Sequence, residues 1–212
     1  MPAGAHAHGQ VPAEYLALGD SYTIGEGVAD GERWPTRLAA ALRARGIAIA
    51  HPHYIARSGW TSDELADAID EEQSQQQLRP SYGLVSLQIG VNDQYREREL
   101  GTFKLQFSAL LDRAIAFAGG NVKHVVVVSI PDWGHTPFAV SSGRDRRQIA
   151  VQIDRFNAAA EAFCHRRGVT WVDITELSRS ADASKEVIGD SLHPSSLMYA
   201  RWVARIAPKV RL

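Results

Sequence analysis

The sequence predicts an α/β fold in which an open, five-stranded parallel sheet carries helices on both faces. Five short, nearly continuous apolar runs recur along the chain, separated by segments with apolar residues three and four apart. A run that is apolar at almost every position belongs to a strand covered on both sides. Strand and helix patterns in alternation build parallel sheets. Length agrees: 212 residues suit one domain, large enough to bury a core without disulfides or metals.

The first strand is Tyr15-Leu16-Ala17-Leu18, closed by Gly19. Pro35, suited to a first helical turn, precedes Leu38, Ala41 and Leu42, and Gly46 ends that helix. The second run spans Ile47 to Ile55. Thr61 and Glu64 form a capping box ahead of Leu65 and Ile69. The polar stretch from Glu71 to Gln77 reads as a helix end or loop. Leu84 to Ile89 is the third run, closed by Gly90. A long helix then carries Phe103, Phe107, Leu110, Leu111 and Ala114, and Gly119 and Gly120 end it. The fourth run, Val125 to Ile130, stops at Pro131. The next helix carries Ile149, Ile153, Phe156 and Phe163 up to Gly168, and the fifth run is Val169 to Ile174. The last helix begins after Pro194 and carries Leu197, Val203 and Ile206. Residues 1–13 read as a loose tail and residues 14–212 as a single domain, with no repeat or linker.

Composition removes several function classes. Lys plus Arg is 23 and Asp plus Glu is 24, a formal charge of −1, so no basic surplus favours nucleic acid. Cys164, the lone cysteine, forms no internal disulfide and reads as a buried thiol. The longest aliphatic stretch, Val125 to Val128, is far too short for a membrane span. The first thirteen residues lack Lys, Arg and an apolar core, so they are not a secretory signal, and a cytoplasmic location is the default unless a signal was removed. His51 and His53 suggest a metal pair, but no third ligand has matching spacing, and no metal is expected. Arg144, Arg146 and Arg147 read as a solvated helix start. Oligomeric state is not legible.

In an open parallel sheet, ligands bind outside the carboxyl ends of the strands. The residues just after each run therefore carry the chemistry. Ser21 follows the first strand in Gly19-Asp20-Ser21, with Gly25 beyond, a setting that can expose a hydroxyl in a tight turn. A serine needs a base within reach and the base an orienting acceptor. Of eight histidines, His193 lies after the last strand, three residues beyond Asp190, so Asp190 can hold one ring nitrogen while the other faces Ser21. Acyl transfer also needs donors for a developing oxyanion. Asn92, after the third strand, and the Gly59 backbone, after the second, supply candidates. Each residue has an ordinary alternative when taken alone: a helix-capping serine, a surface histidine, an Asx-turn, a turn glycine. Gly46 competes with Gly59, but a helix end already explains it.

Together these residues resemble the SGNH hydrolases, the GDSL esterase/lipase superfamily. The matching blocks are Gly19-Asp20-Ser21, Gly59, Gly90-Val91-Asn92-Asp93 and Asp190-Ser191-Leu192-His193, in family order over nearly the whole chain. Tyr22 stands where the family's short name has Leu. The resemblance implies a flavodoxin-like three-layer α/β/α sandwich and a Ser21-His193-Asp190 triad. It also implies an oxyanion hole from the Ser21 N–H, the Gly59 N–H and the Asn92 side chain, with no metal or organic cofactor.

Rival readings fit less of the chain. Thr23 stands where an α/β-hydrolase elbow requires Gly, and no Gly-Lys-Ser/Thr exists for a phosphate loop. A flavodoxin-like binding module would use the strand-end acids Asp20, Asp93 and Asp132, but it leaves Ser21, Asn92 and His193 unexplained together. The expected substrate is a small carboxylic ester with a short acyl chain. Trp60, Trp133 and Phe138, all near strand ends, are candidate walls that leave little room for a long chain. Acetylated sugars, lysophospholipids and thioesters are the alternative substrates.

Overall fold

The computed structural model describes residues 11–180 and 182–212. Most of the expected tail, with His6 and His8, lies outside them. Ala13, assigned to that tail, pairs with the chain at Ile49, donating to Ala48 O and accepting from Ala50 N at 2.9 Å each.

The strands are β1 (Tyr15–Gly19), β2 (His53–Ala56), β3 (Leu84–Gln88), β4 (Val125–Val128) and β5 (Thr170–Val172). All neighbours pair parallel, in the order β2-β1-β3-β4-β5. The helices are α1 (Ser21–Ile24), α2 (Trp34–Ala44), α3 (Ser62–Ser74), α4 (Val91–Tyr95), α5 (Leu100–Phe117), α6 (Pro137–Ser141), α7 (Arg146–Arg167), α8 (Thr175–Arg179), α9 (Ala183–Glu186) and α10 (Ser196–Ile206).

Order and handedness fix the layers. From β1 the chain moves to one side through α2. From β2 onward it steps the other way through α3, α5 and α7. Right-handed crossovers then put α2 on one face and α3, α5 and α7 on the other. The contacts agree: α10 returns to pack on α2, while α5 packs on both α3 and α7. The result is the α/β/α sandwich the sequence predicted.

Every residue of β1, β3 and β4 is buried, whereas the edge strands β2 and β5 are partly open. The polar residues inside the central strands are paired. Gln88 accepts from Trp34 Nε1 and donates to Ser129 O, both at 3.0 Å, and Tyr15 donates to Ser86 Oγ at 3.0 Å.

Two details depart from expectation. The apolar run Ile47 to Ile55 is not one strand. Pro52 lacks a ladder donor, so Ile49 makes an isolated bridge and β2 begins only at His53. Leu197, expected on the apolar face of α10, is 51% exposed. Met198, Tyr199, Trp202 and Ile206 take the buried side, and Leu197 falls on the opposite one.

Candidate active site

The chain reverses direction of travel between β1 and β3, which lie side by side. A crevice opens at such a switch point, at the carboxyl ends of the two strands. Ser21 is the first residue of α1, directly after β1, and Asn92 is the second residue of α4, directly after β3. Asp20 caps α1 by accepting from Tyr22 N at 3.0 Å, which fixes the direction in which Ser21 leaves the strand. Gly90 fixes the corresponding corner before Asn92. Its φ is +123°, and a Cβ there would lie 2.7 Å from the Phe103 ring.

Ser21, Gly59, Asn92 and His193 line one cleft of about 220 Å³. His193 arrives on the loop between α9 and α10. Its Nδ1 lies 2.6 Å from Asp190 Oδ2, while Asp190 Oδ1 accepts from the Leu192 and His193 backbone N–H groups at 2.9 Å each. Partial burial works to raise the Asp190 carboxyl. The His193 side chain and the two N–H donors outweigh it and hold the group below the usual carboxylate value. An ionised carboxylate only accepts, so Nδ1 carries a proton, and in the neutral imidazole Nε2 is the acceptor.

Gly59 lies in the turn between β2 and α3. Trp60 N donates to Arg57 O at 3.3 Å and Gly59 has φ +85°, the pattern of a type II turn. The Trp60 N–H is thereby used, and the Gly59 N–H has no partner among the described residues. Asn92 spends one amide hydrogen on Trp60 O at 2.8 Å, and the other has no partner among the described residues.

Aromatic groups complete the cleft. Tyr22 lies against His193, with ring centroids 5.7 Å apart. Trp133 and Phe138 line the cleft, and Tyr95 and Leu192 join them. Trp60 is not among the lining residues: its ring packs on the core, and its part in the site is its carbonyl. Sequence reasoning missed Tyr95 because it follows the Asn92 block by only three residues and carries no motif. Arg144, read as solvated, lies 4.4 Å over the Tyr95 ring and donates to Tyr95 O at 2.7 Å.

The strand-end acids serve the scaffold rather than the cleft. Asp93 accepts from Ser62 N and Oγ at 3.0 Å each, and Asp132 accepts from Arg179 Nε and Gly134 N at 2.9 Å each. Burial raises the Asp20 carboxyl to about 8, against the opposing Tyr22 N–H, and the Asp93 charge adds to the rise. His51 and His53 point to separate carboxylates, Asp30 and Glu72, at 2.8 Å each. Cys164 is buried, and loss of solvent pushes its thiol up to about 12.

The model of the GDSL-like lipase/acylhydrolase family matches residues 17–201. The chain belongs to that family. Membership makes it a carboxylic ester hydrolase of the serine type. No curated protein matches the chain. Solved GDSL-type and related structures share its fold at low identity. Axe2, an acetylxylan esterase from Geobacillus stearothermophilus, is 15% identical with a TM-score of 0.71, covering 95% of each chain. The lipase/acylhydrolase from Enterococcus faecalis is 15% identical with a TM-score of 0.71, covering 93% of this chain and 95% of that one. The psychrotrophic esterase EstA from Pseudoalteromonas sp. is 18% identical with a TM-score of 0.68, covering 93% and 96%. The family match runs from β1 to α10 of this GDSL-family chain. Among its described residues, no helix is long and apolar enough to cross a membrane.

Proposed function

We propose that this chain is a serine esterase for small carboxylic esters with short acyl groups, working through Ser21, His193 and Asp190 within a single domain over residues 14–212. The observation that carries the reading is the 2.6 Å contact between Asp190 and His193 Nδ1 on the rim of the cleft that holds Ser21. The free Nε2 takes the Ser21 proton as Oγ attacks the ester carbonyl. Asp190 stabilises the imidazolium. The Ser21 N–H, first in its helix and without an intrahelical acceptor, binds the oxyanion together with the Gly59 N–H and the free hydrogen of Asn92. The imidazolium then protonates the departing alcohol. Water attacks the acyl-enzyme by the same route and releases the acid.

The volume supports a short acyl group. Drug-sized ligands occupy pockets of roughly 300–1,000 Å³, and this cleft holds about 220 Å³ between aromatic walls. Behind Tyr22, Trp133 and Leu192 lies a further cavity of only about 30 Å³. Acetylated sugars are a second reading, favoured by Tyr95, an aromatic residue that lines the cleft and is 36% exposed.

The test is turnover of a chromogenic acetyl ester by wild type and Ser21→Ala. The Ser21 hydroxyl has no protein partner among the described residues, so its loss leaves the fold intact while turnover disappears. Labelling by a fluorophosphonate is expected at Ser21. Wild-type turnover by the folded variant, or labelling elsewhere, rejects the assignment. Comparing acetylated xylo-oligosaccharides with simple acetyl esters separates the two substrate readings.

A further inference from the structure

Gly59 has no side chain to hold it, so the direction of its N–H depends on how the rest of its turn is fastened. Two consecutive carbonyls of that turn are gripped by side chains from one place. Trp60 O accepts from Asn92 Nδ2 at 2.8 Å, and Gly59 O accepts from Arg96 Nη2 at 2.7 Å. Arg96 N donates to Asn92 O at 2.9 Å, so the two residues are one helical turn apart. Residues four apart share a helix face, and both side chains therefore reach the same turn.

We propose that Arg96 is a positioning residue: it holds the Gly59 carbonyl so that the Gly59 N–H and the Asn92 amide face the oxyanion as one unit. This rests on the esterase reading of the cleft. The Arg96 guanidinium is itself steadied from the far side. Glu64 Oε2 lies 3.4 Å from Arg96 Nη1 and also takes the Thr61 N–H at 2.9 Å, at the start of α3. An exposed ion pair of this kind adds little stability. Its effect is geometric. Arg96 connects the C-terminal end of α4, which carries Asn92, to the turn that carries Gly59. A Cβ on Gly59, at φ +85°, would meet the Arg96 guanidinium at 3.7 Å, which shows how closely Arg96 lies against this turn.

The experiment uses the full chain with Arg96→Ala and Arg96→Lys, each also combined with Asn92→Ala. Misplacing a catalytic group by about 1 Å costs on the order of 10²-fold, so Arg96→Ala is expected to lower kcat about 10- to 100-fold with KM nearly unchanged. Arg96→Lys keeps a cationic donor and recovers part of the loss. The Arg96→Ala effect shrinks in the Asn92→Ala background, because both residues grip one turn. Thermal midpoint and the pH profile stay near wild type. Amide exchange at Trp60 provides a readout independent of activity, and it is expected to accelerate in Arg96→Ala as the turn loosens. Unchanged kcat overturns the proposal, as does unchanged Trp60 exchange. A raised KM with intact kcat makes Arg96 a substrate contact instead. If wild type shows no labelling at Ser21 by a fluorophosphonate, the esterase reading fails and the catalytic role of Arg96 falls with it. The exchange result then still decides whether Arg96 holds the turn.

Discussion

The Asp190 carboxylate does two things with its two oxygens: Oδ2 meets His193 Nδ1 at 2.6 Å, and Oδ1 holds the Leu192 and His193 backbone N–H groups. The loop and the imidazole are therefore set by one side chain. Ser191, between Asp190 and Leu192, has φ +67°, a left-handed conformation that the loop bonds sustain.

Asp190→Asn separates charge from loop geometry. The backbone donors demand the amide oxygen, so the NH₂ group must face Nδ1. The imidazole then carries its proton on Nε2 and cannot accept from Ser21. kcat is expected to fall by about 10⁴-fold, the scale of a wrong-tautomer lesion, while the thermal midpoint stays close to wild type. His193→Ala is expected to be at least as damaging. A wild-type rate in either variant would remove His193 as the base.

Asn92→Ala removes the proposed oxyanion donor and the bond to Trp60 O. The expected loss is about 10²–10³-fold in kcat with little change in KM. Steady-state kinetics on an acetyl ester measure it. A large rise in KM at constant kcat would recast Asn92 as a residue that binds the ground state.

The short-acyl reading places acyl-chain selectivity in the aromatic wall. Tyr95, Trp133 and Phe138 form a triangle with centroids 5.3–6.3 Å apart. Acetyl to butyryl esters are expected to exceed long-chain esters in kcat/KM, and Tyr95→Ala or Phe138→Ala to shift the optimum to longer chains. Trp133 is a poorer site for that test. It is 2% exposed and donates to Gln94 Oε1 at 2.7 Å, so Trp133→Ala is expected to destabilise the fold by about 3–5 kcal/mol. A chain-length series and urea unfolding check both statements. A wild-type optimum at about eight carbons or more, beyond what a cleft of this size accommodates, overturns the short-acyl reading.

Asp20 links stability to pH. Burial raises its carboxyl from the ordinary value to about 8 in the folded chain. Across the window from about pH 4 to 8 the folded state keeps a proton that the unfolded state has released. The unfolded state binds fewer protons, so this group's contribution falls as pH rises. Asp20→Asn stays neutral and can still accept from Tyr22 N. Urea unfolding at pH 5 and pH 8 is expected to show a smaller loss of stability in the variant than in wild type. Equal losses would show that Asp20 is ionised in the folded protein.

Burial on two faces leaves continuous apolar runs, so the sheet, its parallel sense and the approximate position of every strand were legible in the residues alone. Ser21, Asn92, Asp190, His193 and Gly59 could be named as well, since each follows a strand or stands in a short block whose spacing is local. The partnership of Asp190 and His193 was legible for that reason: three residues of chain suffice to bring them together. Contacts between separate elements came from packing. Pro52 shortened β2, and the final docking of α10 turned Leu197 outward. Trp60 was read as a wall from its place beside Gly59, yet its ring packs on the core and only its carbonyl serves the cleft. Tyr95 became a wall, and Arg96 reached Gly59 across 37 residues of sequence, without any signature in their own neighbourhoods. Periodicity records which face of an element is buried. It does not record which side chain of a neighbouring element lies against that face, because the packing of separate elements sets that choice.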